Sequence, residues 1–223
     1  MNLLAVIFDL DDVIVSTDEY HYQGWQRLAD EEVIYFDRAI NQRLRGVSRM
    51  ESLAILLERS PRSYTDEERR ALAERKNGYY KALLGKLTAA DILPGSLKLL
   101  AALRQRSIKI AVASSSRNAA LILQRIGLDQ AFDAVVDGND ITRSKPDPEV
   151  FLLAAQRLGV PPVTCLVVED AEAGITAAHA AGMPALGVSH AAGDPRAELR
   201  AAGLDQVTVE EILRTFGGMR KDG

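Results

Sequence analysis

The chain has 223 residues, enough for one large domain or for a core domain with a smaller insertion. Hydrophobic residues make up 47% of it, which is typical of a packed globular protein and excludes a largely disordered chain. The formal net charge is −4, which argues against a basic nucleic-acid-binding surface, and no apolar run reaches the roughly 20 residues of a membrane span.

The first predicted strand covers residues 3–8, a continuous apolar run typical of a strand buried on both faces. Residues 16–92 follow it and contain helical patterns without a convincing strand pattern. Three capping-box patterns precede helices there, at Ser16 with Glu19, Ser48 with Glu51, and Thr65 with Glu68. We therefore predict a helical insertion between the first strand and the rest of the fold.

After the insertion, short apolar runs alternate with helical patterns. The predicted strands are residues 108–113, 132–136, 165–168 and 184–188. The predicted helices are residues 96–106, 118–126, 148–158 and 171–181. Pro94 is expected to open the first of these helices, and glycines 159 and 182 are expected to follow the last two. This alternation predicts an α/β fold with a parallel sheet covered by helices on both faces.

Two acidic residues end the first predicted strand. Asp9 and Asp11 are two positions apart, so an extended chain points both carboxylates to the same side. A capping or turn role would also explain such residues at a strand end. Two carboxylates this close in a dry site, however, require a nearby cation.

Polar residues also end the later strands, at the sheet edge where ligands bind in open parallel sheets. They are residues 114–116 (SSS), Lys145 in a proline-stiffened loop, Glu169 and Asp170. A carboxylate cluster without His or Cys suits Mg²⁺, whereas a serine at a helix start and a lysine suit phosphate. Helix capping by Ser114 or Asp170, and simple solvation of Lys145, stay open as structural alternatives.

These residue types together predict phosphoryl transfer through a covalent intermediate. The Asp9 carboxylate can attack phosphorus to give an aspartyl-phosphate. Lys145 and Mg²⁺ would offset charge on the transferring group, and a second carboxylate can protonate the leaving oxygen and later deprotonate the acceptor.

The sequences FDLDD, SSS, Lys145–Pro146 and VVED resemble, in this order, the four motifs of the haloacid dehalogenase-like superfamily. The resemblance implies a Rossmann-like core of residues 1–15 and 93–223 with an inserted α-helical cap of residues 16–92. It implies that Asp9 is the nucleophile and Asp11 the general acid/base. It also implies that Mg²⁺ is held by the Asp9 side chain, the Asp11 carbonyl group, Glu169 and Asp170.

Further stretches, such as STDEYHYQGWQRLADE, LRGVSRMESL and EDAEAGI, resemble the sugar-phosphate mutases of this superfamily. This likeness implies a sugar phosphate substrate, with glucose 1,6-bisphosphate as intermediate and activator. It implies that Thr17, His21 and Lys76 help to position Asp11 as the cap closes. The residues implied to bind substrate, beside Lys76, are Trp25, Gly46, Ser48, Arg49, Ser115, Ser116, Arg117 and Asn118. For Trp25, packing stays open as an alternative role.

One residue departs from the superfamily pattern, because Asp12 stands where glycine follows the second aspartate. We hypothesise that its charge lowers turnover or that the loop is slightly rearranged. A phosphatase acting on a small phosphate ester would use the same Asp9 and Asp11, and stays open as an alternative function. A non-catalytic relative would be expected to have lost motif residues, and none of the reactive ones is missing.

The expected setting is a cytoplasmic monomer whose partners are small sugar phosphates. Cys165 is the single cysteine of the chain, so no internal disulfide can form, which fits a reducing compartment. It lies in an apolar run, where a small buried side chain is expected. No nucleic-acid or membrane partner is expected.

Overall fold

The computed structural model describes residues 3–45 and 47–218. It contains a six-stranded parallel sheet in the order β3-β2-β1-β4-β5-β6. The strands are β1 (Ala5–Phe8), β2 (Lys109–Ala113), β3 (Ala134–Val136), β4 (Cys165–Glu169), β5 (Ala185–Gly187) and β6 (Leu199–Arg200). The predicted α/β class is confirmed. The sixth strand was missed because two residues are too few to form a recognisable hydrophobic pattern.

Among the described residues, four α-helices lie within the predicted insertion and five lie outside it. The first four are α1 (Asp18–Glu31), α2 (Arg38–Gln42), α3 (Arg49–Leu57) and α4 (Asp66–Leu84). The others are α5 (Ser96–Gln105), α6 (Ala119–Arg125), α7 (Glu149–Leu158), α8 (Glu172–Ala180) and α9 (Val209–Gly218). In the described residues, no helix is long and apolar enough to cross a bilayer.

Both faces of the sheet are covered by helices, and alternate strand residues point to opposite faces. On one face, Val6 and Phe8 of β1 pack with residues of α5, α6 and α9. On the other face, Ala5 and Ile7 of β1 pack with α7 and α8. The helical insertion has its own apolar cluster, which includes Trp25 and draws on α1 to α4 and the loops between them. Tyr80, Leu84 and Leu87 of the insertion pack instead with the sheet-side cluster, and the division into a core and a cap of residues 16–92 stays a prediction.

Two of the three predicted capping boxes are present, at Ser48 with Glu51 and at Thr65 with Glu68. The prediction for Ser16 was wrong, because α1 has Thr17 as its N-cap and no side chain caps it. The Ser16 hydroxyl instead donates to Oδ1 of Asp12 at 2.5 Å. The Ser16 hydroxyl is thus bonded to the loop after β1 and does not cap α1.

The helix α5 begins at Ser96, as its sequence predicted, but Pro94 does not have the predicted role. Its N-cap is Gly95 with φ 86°, so Pro94 precedes the helix and does not open it. A Cβ atom at Gly95 would lie 2.1 Å from the Asp205 backbone nitrogen, so both the left-handed conformation and the close approach require glycine here. The two glycines predicted to follow α7 and α8 also have positive φ, 67° at Gly159 and 72° at Gly182.

The insertion joins the core through two adjacent chain crossings. Val15 forms an isolated antiparallel bridge with Ile92, and the Leu93 amide donates to the Ile14 carbonyl at 2.9 Å. Further along, Nδ2 of Asn118 at the start of α6 donates to Oδ1 of Asn77 on α4 at 3.0 Å. These contacts place the inner surface of the insertion over the carboxyl end of the sheet.

Candidate active site

The carboxyl ends of the three central strands bring the predicted acids and serine together. In the sheet, β1 lies between β2 and β4, with Phe8 aligned with Val112 and Val168. Asp9 comes one position, and Ser114 and Asp170 two positions, after these aligned residues. All three therefore lie at one edge of the sheet. The Asp9 amide donates to the Val168 carbonyl at 2.9 Å, which continues the sheet pairing up to the acid itself.

The buried cation that this acidic edge requires is Lys145, which is 1% exposed. Its Nζ lies 2.5 Å from Oδ1 of Asp9 and also contacts Oε1 of Glu169. A third hydrogen bond runs to the Ala113 carbonyl at 3.2 Å. Burial alone lowers the pKa of Lys145, but the charges of Asp9 and Glu169 outweigh burial and raise it, so the side chain stays cationic. The alternative of a solvated lysine is excluded.

Burial dominates the protonation of both strand-end acids. It raises the pKa of Asp9 to about 7, against the opposing charge of Lys145. It raises the pKa of Asp11 to about 6, although the hydrogen bond from Thr17 acts in the other direction. A carboxyl group with a pKa near 6 can both give and take a proton at neutral pH, which suits a general acid/base.

A line of buried polar groups leads from Asp11 into the insertion. The Thr17 hydroxyl donates to Oδ1 of Asp11 and lies 2.9 Å from the Tyr80 hydroxyl. The Tyr80 ring is tilted by 30° against the His21 ring with centroids 3.9 Å apart, and Nδ1 of His21 lies 2.8 Å from Nζ of Lys76. The sequence predicted Thr17, His21 and Lys76 but missed Tyr80, which shares their face of α1 and α4.

The serine-rich turn after β2 is held by its own side chains. Oγ of Ser114 accepts from the Ser116 amide at 3.1 Å, and Oγ of Ser116 accepts from the Asn118 amide at 3.2 Å. The N-cap of α6 is Asn118, so Ser114 does not cap that helix. Oγ of Ser115 is the one buried side-chain oxygen or nitrogen without a protein partner in the described part of the chain.

Two arginines lie where the insertion faces this turn. Arg49 at the start of α3 is held by Glu74, with Nη1 2.5 Å from Oε1, and its side chain is only 20% exposed. Nε of Arg117 donates to the Gly138 carbonyl at 3.2 Å. Burial lowers the pKa of Arg49, and the charge of Arg117 contributes in the same direction. Both guanidinium groups line the same cavity, and an arginine can contact a phosphate through two N–H groups.

One cavity of about 650 Å³ joins these groups, between the sheet edge and the insertion. It is lined by Asp9, Asp11, Lys145 and Asp170 of the core and by His21, Arg49 and Lys76 of the insertion. The predicted residues Trp25, Ser48, Ser114, Ser115, Ser116, Arg117, Asn118 and Glu169 line it too. Trp25 is 2% exposed, and its ring lies 4.6 Å from Nζ of Lys76. Gly46 lies outside the described residues.

Sequence reasoning missed several lining residues besides Tyr80. Asn77 bridges to Asn118, Glu74 holds Arg49, and Arg45 pairs with Asp18 at 2.8 Å. None belongs to a recognisable motif, so the signal was confined to the helical periodicity that places Asn77 and Tyr80 on the buried face of α4.

The loop residue Asp12 has φ 54°, in the left-handed region that glycine adopts most readily. Its conformation is fixed by its amide, which donates to the Val15 carbonyl at 2.8 Å, and by the Ser16 hydroxyl. An aspartate therefore fits where the superfamily pattern has glycine. Burial is the main cause of the raised pKa of Asp11, and the hydrogen bond from Thr17 opposes it. The charge of Asp12 nevertheless raises this pKa further.

Glu169 uses both carboxylate oxygens within the protein. One contacts Lys145, and Oε2 accepts from the Asp170 and Ala171 amides at 2.9 and 3.0 Å. The close approach of α8 requires glycine, since a Cβ at Gly174 would lie 1.9 Å from Cδ of Glu169. A metal would have to share a Glu169 oxygen with these donors, and the predicted role of Glu169 as a metal ligand stays a prediction.

Oxygen ligands that fit Mg²⁺ are present at Asp9 and Asp170. Asp170 is 7% exposed and, among the described residues, no N–H or O–H group donates to its carboxylate. Its pKa is raised well above the usual value by burial, then by Glu169 and Asp9. The N-cap of α8 is Ala171, so helix capping by Asp170 is excluded. A hard cation suits such oxygen atoms.

The sequence matches the profile of the haloacid dehalogenase-like hydrolases over residues 3–182. The matched segment contains β1, the whole insertion and the strand ends that carry Asp9, Ser114, Lys145 and Asp170. The chain belongs to the haloacid dehalogenase-like hydrolases. The superfamily membership expected from the four motifs is thus confirmed, while the roles it implies for individual residues stay predictions.

Relatives of this haloacid dehalogenase-like protein include mutases and phosphatases. It is 46% identical over 208 residues to a β-phosphoglucomutase of Bacillus subtilis (strain 168), covering 92% of each chain. The crystal structure of a Clostridium difficile β-phosphoglucomutase superposes with a TM-score of 0.92 at 39% identity, covering 96% of this chain and 97% of that one. A phosphorylated carbohydrates phosphatase of Thermotoga maritima is 33% identical, covering 95% of this chain and 97% of that protein.

Proposed function

We propose that this protein is a β-phosphoglucomutase, which interconverts β-D-glucose 1-phosphate and glucose 6-phosphate. The observation that carries the proposal is a single cavity with two places for a phosphate. Asp9 and Lys145 lie on its core side, and Arg49 and Arg117 lie where the insertion meets the core. The similarity to β-phosphoglucomutases over nearly the whole chain supports the same function.

In the proposed reaction, an oxygen of Asp9 attacks the phosphoryl group of β-glucose 1,6-bisphosphate. The bond between phosphorus and the sugar oxygen breaks, and Asp11 gives that oxygen a proton. A glucose phosphate then binds with its unphosphorylated hydroxyl facing the aspartyl-phosphate. This hydroxyl attacks the phosphorus, the bond from phosphorus to Asp9 breaks, and Asp11 takes the hydroxyl proton. Glucose 1,6-bisphosphate is therefore both intermediate and activator.

The remaining side chains of the site would bind the substrate and Mg²⁺ and orient Asp11. Arg49 and Arg117 would hold the phosphate that is not transferred, and Lys145 would offset charge on the one that is. Asp9 and Asp170 would hold Mg²⁺, which supplies positive charge to the transferring group when it is bound. Thr17, joined to Tyr80, would position Asp11, and the insertion would exclude water from the aspartyl-phosphate.

The test is a reaction with β-glucose 1-phosphate, Mg²⁺ and a trace of glucose 1,6-bisphosphate. Glucose 6-phosphate and inorganic phosphate are followed in the same tube, with α-glucose 1-phosphate as the substrate control and Asp9→Asn as the inactive variant. Glucose 6-phosphate from the β anomer, with little free phosphate, is the expected result. Dominant release of phosphate would instead indicate a phosphatase, as in the T. maritima relative.

The finer expectations on setting belong to the same proposal. We expect a cytoplasmic enzyme that acts as a monomer on small sugar phosphates, without nucleic acid. The single cysteine, Cys165, is buried and supports a protein that does not depend on disulfides. Size-exclusion chromatography with light scattering tests the monomer.

A further inference from the structure

Three side chains converge beside the cavity: Asp12, Asp170 and His190. Each offers one ligand atom, and these atoms all lie within 4.8 Å of one another. Nε2 of His190 lies 3.8 Å from Oδ2 of Asp12. Over residues 3–45 and 47–218, no other set of three or more His, Cys, Asp or Glu side chains meets so closely.

The Asp170 carboxylate is the member of this cluster that calls for a ligand. It is more than nine-tenths buried, and within the described residues no protein donor satisfies it. Its oxygen atoms nevertheless reach the cavity, so a cation can bind them there and offset the charge that burial of the residue disfavours. Lys145, the nearest buried cation, is already engaged by Asp9 and Glu169.

Asp12 and His190 are arranged to complete a coordination shell. Oδ1 of Asp12 accepts from Ser16, which orients the side chain and leaves Oδ2 on the side of His190. His190 lies in the turn Ser189–Gly193 after β5, with 46% of its side chain exposed, so its ring can shift. Ligand atoms each about 2.1 Å from one ion are about 3–3.5 Å apart, so closure requires movements of about 1 Å.

From this geometry we infer that Asp12, Asp170 and His190 form a binding site for a divalent transition metal such as Co²⁺ or Zn²⁺. The imidazole nitrogen selects these ions over Mg²⁺, which prefers oxygen ligands. The site depends on Asp12, because the glycine of the superfamily pattern has no side chain to offer. It shares Asp170 with the Mg²⁺ position described above, so one carboxylate would bridge two ions.

The surrounding charges permit a cation here. The guanidinium of Arg45 is close enough to Asp12 and Asp170 for their charges to contribute to its raised pKa, which burial opposes. Arg45 is, however, paired with Asp18, with Nη2 2.8 Å from Oδ2. Its charge is therefore shared with Asp18, and among the described residues no lysine or arginine forms an ion pair with Asp12 or Asp170.

The experiment is a titration of the intact protein with Co²⁺ in the presence of excess Mg²⁺. Binding is followed by the visible absorption of the bound ion and by calorimetry, so no enzymatic activity enters the readout. His190→Ala removes the nitrogen ligand, and Asp12→Asn removes the charge while keeping a residue that tolerates positive φ. His179→Ala is the matched control, since this partly exposed histidine of α8 pairs with Glu198, away from the cavity lining.

We expect one Co²⁺ per chain in the wild type and in His179→Ala, with affinity at least about tenfold weaker in His190→Ala and Asp12→Asn. Zn²⁺ should displace the Co²⁺ and abolish its absorption. Equal affinity in wild type and His190→Ala, loss of the bound Co²⁺ on adding Mg²⁺, or absence of binding would each overturn the site. Circular dichroism of each variant confirms that the fold is retained.

Discussion

Nζ of Lys76 and Nδ1 of His21 lie 2.8 Å apart in the buried layer between the insertion and the core. Burial lowers the pKa of both groups well below their usual values, and the positive charges nearby act in the same direction. His21 is therefore neutral at pH 7 and can accept a hydrogen bond from Lys76. The pair stands next to Tyr80 and Thr17, and through them it supports Asp11.

The first prediction concerns His21 and acid stability. Because the folded-state pKa lies below 6.5, the unfolded state binds a proton that the folded state does not, so this group's contribution to stability is present above pH 6.5 and is lost as pH falls. His21→Gln should therefore lose less unfolding free energy than wild type between about pH 7 and pH 5. Urea denaturation at both values measures this. His179→Gln is the control, and a wild-type slope in His21→Gln would contradict the expectation.

The second prediction compares two helix glycines. A Cβ at Gly174 would collide with the Glu169 carboxylate and displace it from Lys145, whereas a Cβ at Gly78 meets nothing within 4 Å. Gly174→Ala should lower the free energy of unfolding by about 3–5 kcal/mol, the range for breaking a buried ion pair. Gly78→Ala should raise it by about 0.5–1 kcal/mol, since alanine is the better helix former. Denaturant titration measures both, and similar values would refute the role given to Glu169.

The third prediction concerns the carboxylate that occupies Arg49. Glu74 is 67% exposed and competes with any anion for that guanidinium. Glu74→Gln should tighten binding of glucose 6-phosphate by about 1.5- to 5-fold, which corresponds to about 0.2–1 kcal/mol for an exposed ion pair. Calorimetry measures the Kd. Glu67→Gln, an exposed residue of the same helix, should leave it unchanged, and weaker binding in Glu74→Gln would show that Glu74 positions Arg49.

The fourth prediction concerns the hydrogen bond between Asn77 and Asn118. Its loss in Asn77→Ala should destabilise the closed arrangement of insertion and core by about 0.5–1.5 kcal/mol. Water would then reach the aspartyl-phosphate more often, so the ratio of phosphate released to glucose 6-phosphate formed should rise by about 2- to 10-fold. Tyr79→Phe is the control, because the Tyr79 hydroxyl bonds Glu31 within the insertion. An unchanged ratio in Asn77→Ala would argue against this contact as a closing device.

The fifth prediction concerns Asp12. Its charge contributes to the raised pKa of Asp11 and Asp170 and lies beside the nucleophile. Asp12→Gly should therefore increase turnover by about two- to tenfold, because less negative charge faces the incoming phosphate, and it should weaken Mg²⁺ binding, because the ion loses a nearby negative charge. Asp12→Asn separates the effect of the charge from the effect of the loop conformation, because it removes the charge and keeps a side chain in the left-handed conformation. If neither variant changes kcat or Mg²⁺ affinity, the charge of Asp12 has no part in catalysis.

The sequence by itself determined the core of the fold and the reactive residues at its edge. Continuous apolar runs identify buried parallel strands, and the residues that end such runs must meet at one edge, so Asp9, Lys145 and Asp170 could be found without coordinates. Capping at Ser48 and Thr65 was equally accessible, because a capping box is local. Ser16 fitted the same pattern, but its hydroxyl donates to Asp12 and does not cap a helix.

Only the tertiary structure decided which partner each of these groups has. Lys145 reaches Asp9 across 136 positions of sequence, and Tyr80 reaches Thr17 across 63. Other contacts also join residues that are far apart in sequence: Glu169 with Lys145, Asn77 with Asn118, and His190 with Asp12. Hydrophobic period and capping are properties of neighbours along the chain, whereas these contacts depend on how separate elements pack, and packing has no local signature.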